Sequence, residues 1–136
     1  MADRMTREQR SAIMARIRSK DTGPEVRVRR ALHAMGFRFR LHVRSLPGCP
    51  DIVLPKYSVA LQVRGCFWHA HRCQKGRMPQ SNRAFWVPKL RANRARDIKD
   101  DRRLRRLGWR VGTIWECQLE RMAASELRTR LRGLLV

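Results

Sequence analysis

The chain has 136 residues, and 32 Lys+Arg against 11 Asp+Glu give it a formal net charge of +21. At 43% hydrophobic residues it is too apolar to be disordered throughout, and its apolar runs are too short for a transmembrane helix. One domain of ordinary size carrying this charge points to a polyanionic partner, held with counterion release: DNA, RNA or an acidic membrane. The bland alternative is codon composition, since 27 of the 32 basic residues are Arg.

The opening MADRMTREQR is polar and lacks an apolar signal-peptide core, so the expectation is a soluble intracellular protein with reduced cysteines. Residues 6–18 read as a helix with an apolar stripe of Ile13, Met14 and Ile17. A helix over 22–35 follows, with capping-box spacing at Thr22-x-x-Glu25, Pro24 in its first turn and Gly36 as its stop. Residues 37–43 (FRFRLHV) alternate like a strand, and LPGCP at 46–50 is a turn. DIVL at 51–54 and VALQV at 59–63 make a hairpin around PKYS, which sets Asp51 across from Gln62 and close to Val63. The stretch 65–83 reads as loop, and a long helix runs from Phe85 or Pro88 to Leu107. WRVGTIW at 109–115 is a strand whose Trp109 and Trp115 read as core, and 120–135 is a C-terminal amphipathic helix. The order predicts one α/β domain, a mixed sheet covered by helices.

The most informative stretch is GCFWHAHRC at 65–73. Cys66, His71 and Cys73, joined by Cys117 at the end of the last strand, supply three thiolates and an imidazole. That donor set completes a closed tetrahedral shell, which describes a structural zinc site. Ordinary buried cysteines and a surface histidine are the alternative, and by spacing His69 can replace His71. Cys49 is left over as a small turn residue.

These residues carry a resemblance. PGCPDIVL, GCFWH at 65–69, FW at 85–86, the Lys89…Asn93…Arg96-Asp97 helix and GWRV…WEC at 108–117 resemble the very-short-patch repair (Vsr) mismatch endonucleases, in order, from about residue 8 to 118. The resemblance implies a type II restriction-endonuclease-like fold and a magnesium-dependent nick 5′ of the thymine in a T·G mismatch. It implies structural zinc on Cys66, His71, Cys73 and Cys117. It further implies a monomer in the bacterial cytoplasm, bound to duplex DNA and not to membrane, with other mismatch-repair proteins as possible partners.

Phosphodiester hydrolysis needs a positioned water, a base and positive charge for the developing oxyanion. Asp51 opens an apolar strand. On sequence alone it is a turn cap or a Mg2+ ligand, and the resemblance selects the ligand, with the backbone carbonyl of Val63 as a second. His69 resembles the catalytic histidine, whose neutral form accepts a proton from water. Asp97 would orient His69 or pair with a nearby Arg on a solvated face. Glu25 matches an acidic position near the family's site, yet the capping box explains it equally well. Phe67, Trp68 and Trp86 resemble an aromatic wedge that unstacks the mismatch, with Met14 inserted from the opposite groove; core packing is the alternative. Lys89 and Asn93, one helical turn apart, reach DNA together or lie on a solvated face.

Two departures from the family matter. Arg64 stands where a histidine usually precedes Gly-Cys-Phe-Trp-His, and Cys49 stands where the family often carries Arg. An Arg shuttles no proton at neutral pH, but it holds a phosphate oxygen with two donors. Either Arg64 has become an electrostatic catalytic group, or the chain is a mismatch-binding protein with weakened or lost catalysis.

Overall fold

A computed structural model describes residues 22–73 and 76–136. The helix expected over 6–18, and Met14 with it, lie outside the described residues.

Helix α1 spans Gly23–Ala34, with Thr22 as its N-cap accepting the Glu25 amide and Pro24 in its first turn. Strand β1 (Arg40–Leu41) is shorter than the 37–43 alternation predicts. The reason lies in its partner β2 (Ile52–Leu54), which Pro50 and Pro55 bracket. Proline offers no amide to a ladder, so regular pairing does not run through Pro55, and at the other end His42 turns left-handed at φ 47°. Two bonds still extend it, from the His42 amide to the Asp51 carbonyl and from the Val43 amide to the Pro50 carbonyl.

A 3-10 turn at Pro55–Tyr57, ending on left-handed Ser58, leads into β3 (Val59–Arg64). The β2–β3 register is Ile52↔Leu61 and Leu54↔Val59, which sets Asp51 beside Gln62 as the hairpin reading expects. From β3 the chain crosses through the 24-residue helix α2 (Arg83–Arg106) to β4 (Arg110–Trp115), which pairs parallel to β3. Helix α2 begins ahead of Pro88 and encloses it.

The sheet is mixed, in the order β1-β2-β3-β4. Period-two alternation divides β3 between its faces. Val59, Leu61 and Val63 join Val28 and Leu32 of α1 in one core cluster, with Ile52, Leu54 and Ile114. On the other face Gln62 and Arg64 are both buried, and Arg64 reaches Asp101 of α2.

The C-terminal segment differs from the single helix expected. It forms α3 (Glu116–Arg121) and α4 (Ala124–Leu135), separated at extended Met122. The Arg27 guanidinium donates to the carbonyls of Leu119 and Met122, satisfying the end of α3. Glu126 accepts the Ala123 amide and starts the next helix. Leu127, Leu131 and Leu135 then complete the core beside α1.

Trp115 is a second difference. The buried positions of β4 are Gly112 and Ile114, so Trp115 points to the opposite side and is only half-buried. Gly112 is required there, because a Cβ would meet Leu61 at 2.8 Å.

Candidate active site and metal centre

Two donor clusters flank the C-terminal half of β3. The first lies in the loop that follows it. Donor atoms of Cys66, His71, Cys73 and Cys117 all fall within 4.8 Å of one another. Cys117 brings its Sγ 3.5 Å from His71 Nδ1, and its amide donates to Cys66 Sγ at 3.4 Å. Trp115 stacks on the His71 ring, centroids 3.9 Å apart and 13° from parallel, which fixes the imidazole plane. Gly76 closes the loop against the His71 backbone so tightly that a Cβ would sit 1.9 Å from the His71 carbonyl oxygen.

The thiols are electrostatically unlike. Burial pushes Cys66 up to about 12, helped by the thiols of Cys73 and Cys117. For Cys73 desolvation acts upward, but hydrogen bonds from His71, the Gly76 amide and the other two thiols outweigh it and bring it down to about 6. Three sulfurs and one imidazole suit a thiophilic tetrahedral ion, and the chemistry of the set fits zinc.

The second cluster holds the reactive candidates. Asp51 accepts the Val63 amide on Oδ2 at 2.8 Å. Burial raises its pKa, opposed by that hydrogen bond and by the charges of His42, His69 and Arg64. His69 Nδ1 lies 2.5 Å from Asp97 Oδ2 on α2, a pairing that does not engage Nε2. Arg64 is buried and directed at α2, where it binds Asp101 with two nitrogens at 2.8 and 3.1 Å and approaches Asp97 at 4.0 Å. Glu25 is buried at the start of α1, its carboxylate 3.5 Å from His42 Nε2. Glu25, His42 and Asp51 form the other group of donors within 4.8 Å among the described residues. Carboxylates here fit a hard divalent ion such as magnesium.

Beside these lies an aromatic cluster. Phe67, Trp68 and Trp86 meet edge to face with centroids 5.2, 5.3 and 5.9 Å apart. Trp86 is buried and forms the base, while Phe85 packs on it at 4.9 Å and is 52% exposed. Lys89 Nζ sits 5.7 Å over the Phe85 ring. Asn93 donates to the Trp68 carbonyl at 3.1 Å and Arg94 to the Ala70 carbonyl at 3.1 Å, so α2 holds the loop by its backbone.

Sequence reasoning missed two residues. His42 was one polar position in an alternating strand, and only its pairing with Asp51 brings it to the cluster. Phe85 carried the family resemblance without a role, and its signal was a large ring at the start of a polar helix.

Comparison with known proteins shows which nucleases the chain is similar to. Residues 2–75 match the family DNA mismatch endonuclease Vsr. The Type II nicking enzyme V.XorIIP of Xanthomonas oryzae pv. oryzae is 48% identical over 130 residues, 96% of each chain. The Type II nicking enzyme V.NmeAIP of Neisseria meningitidis is 45% identical over 123 residues, 90% of this chain and 88% of its own. The DNA mismatch endonuclease Vsr of Escherichia coli is 40% identical over 134 residues, 96% of this chain and 86% of its own. The class of the protein is therefore that of DNA endonucleases. Within that class, the chain belongs to the DNA mismatch endonuclease Vsr family.

Proposed function

We propose that this endonuclease nicks duplex DNA on the 5′ side of the thymine in a T·G mismatch, the product of 5-methylcytosine deamination, with Mg2+ as catalytic ion and Zn2+ as structural ion. The observation that carries this reading is the 2.5 Å His69–Asp97 pair, on the same side of the fold as the buried carboxylate of Asp51. Asp97 holds the Nδ1–H tautomer, and Nε2 takes a proton from the attacking water. Asp51 and the Val63 carbonyl would hold the magnesium. When bound, that ion supplies charge for the developing oxyanion and acidifies the water. Glu25 supports the same site. Arg64 contributes by holding Asp101 and lying beside Asp97, which places it behind the reacting groups.

Phe67 and Trp68, seated on Trp86, would enter the base stack, where a mismatch costs less to open than a paired step. Lys89 reaches DNA beside them, Asn93 keeps the Trp68 backbone in place, and Met14 would enter from the opposite groove. The other arginines of α2 neutralise phosphates without reading sequence. The mixed four-stranded sheet flanked by helices supports assignment to the restriction-endonuclease-like fold. Among the described residues no helix is long and apolar enough to cross a membrane. The protein acts in this reading as a monomer of one domain in the bacterial cytoplasm, handing its nick to other repair enzymes.

The engagement of Arg64 with Asp101 favours keeping a second reading in the test, a mismatch binder that has lost cutting. End-labelled T·G, T·A and C·G duplexes incubated with Mg2+ or EDTA separate the two. A Mg2+-dependent nick on the thymine strand of the T·G duplex alone supports the endonuclease. Selective binding without a nick supports the binder.

A further inference from the structure

Glu25, His42 and Asp51 come from three places, the first turn of α1, the end of β1 and the start of β2. Their donor atoms nevertheless lie within 4.8 Å of one another. Pairing explains the approach. The His42 amide donates to the Asp51 carbonyl at 3.1 Å, which makes the two residues cross-strand neighbours. His42 adopts φ 47°, a left-handed conformation that turns the chain out of the ladder at this point. Its Nε2 is 3.5 Å from Glu25 Oε2, and the two side chains are 13% and 10% exposed.

Two carboxylates this close repel when both are ionised. A divalent cation relieves that repulsion, and a neutral imidazole beside them adds a nitrogen donor. Magnesium prefers an all-oxygen shell, whereas manganese and its later neighbours accept imidazole. The geometry points to His42 as a metal ligand, completing with Glu25 and Asp51 a mixed oxygen–nitrogen site that takes Mn2+ more tightly than Mg2+ and is assembled before DNA arrives. This inference rests on the nicking reading for the use of the ion, but the site is tested without DNA. A structural His42–Glu25 ion pair is the competing explanation.

The test uses the full-length, zinc-loaded protein titrated with Mn2+ and followed by electron paramagnetic resonance, to which zinc is silent. Electron spin-echo modulation then reads nitrogen bound to the manganese. His42→Asn is the variant of choice, because Asn tolerates the left-handed backbone; unchanged zinc content and circular dichroism report that it folds. The expected result is nitrogen modulation in the wild type, its loss in His42→Asn, and Mn2+ binding weakened about 10–100-fold. Mg2+ should compete for the wild-type site only at large excess, and at lower excess in the variant. Persistent nitrogen modulation in His42→Asn, unchanged Mn2+ affinity, or no Mn2+ binding by the wild type overturns the inference. Mn2+ binding through His42 in a protein that cuts no mismatch would leave the site standing and sink the nicking reading. Mismatch cutting with manganese bound identically in both proteins would do the reverse.

Discussion

Arg64 turns its guanidinium onto Asp101, with Nη2 2.8 Å from one carboxylate oxygen and Nη1 3.1 Å from the other. Both residues are buried between β3 and α2. Because Arg64 also lies 4.0 Å from Asp97, the pair stands directly behind the carboxylate that holds His69.

Removing one member of a buried pair leaves the other charged and uncompensated. Asp101→Ala should therefore cost about 3–5 kcal/mol of stability in urea unfolding. Arg64→Met combined with Asp101→Leu should recover most of that loss. A single variant as stable as the wild type would mean that the pair contributes little.

His69 depends on Asp97 for its tautomer. Asp97→Asn should lower the single-turnover nicking rate by about 10²–10⁴-fold while mismatch affinity in gel shift stays near wild type. Asp51→Ala and His69→Ala should abolish nicking and spare binding. Wild-type rates in any of these would remove that residue from the mechanism.

The raised pKa of Asp51 carries a stability cost. The folded state holds the proton to higher pH than the unfolded chain, whose Asp titrates near about 3.9. Stability is therefore lost as pH rises from about 3.9 through the folded value, and the whole cost stands above it. Asp51→Asn keeps an acceptor for the Val63 amide and removes the charge. Its Tm should exceed wild type at pH 8, with the gap closing below about pH 4. An equal gap at both pH values would contradict burial as the cause.

The Cys66, His71, Cys73 and Cys117 cluster should bind one zinc per chain, measured by plasma emission spectroscopy. Chelation or Cys117→Ser should lower Tm and abolish nicking together. Gly76→Ala should do the same, since its Cβ would collide with the His71 backbone. Full activity in zinc-free protein would separate the cluster from the active site.

For the aromatic cluster, Trp68→Ala should reduce the preference for T·G over T·A duplex, read as a ratio of binding constants. Phe85→Ala should weaken mismatch binding with little effect on Tm, because that ring is mostly exposed. An unchanged ratio for Trp68→Ala would return these rings to a packing role.

What was legible in the chain was local. The hairpin around PKYS has short apolar arms and a tight turn, so the neighbourhood of Asp51 and Val63 followed from counting. Cys66 and Cys73 stand out by spacing, whereas the choice of His71 over His69 came from the family resemblance. What escaped reading depends on contacts across the fold. His42 gains meaning only from its pairing with Asp51 across two strands. Arg64 looked ready for a phosphate until α2 placed Asp101 beside it, 37 residues away. The break at Met122 needs Arg27, 95 residues earlier in the chain. Trp115 sat on the wrong face of β4 because alternation gives a period without a phase.

The loop that carries His69 has two sulfur donors of the metal cluster within its nine residues, Cys66 on one flank and Cys73 on the other. Position 69 is thus spanned by the two sulfurs, three residues after one and four before the other, so the shape of the sulfur cluster sets the path of the backbone that carries the imidazole.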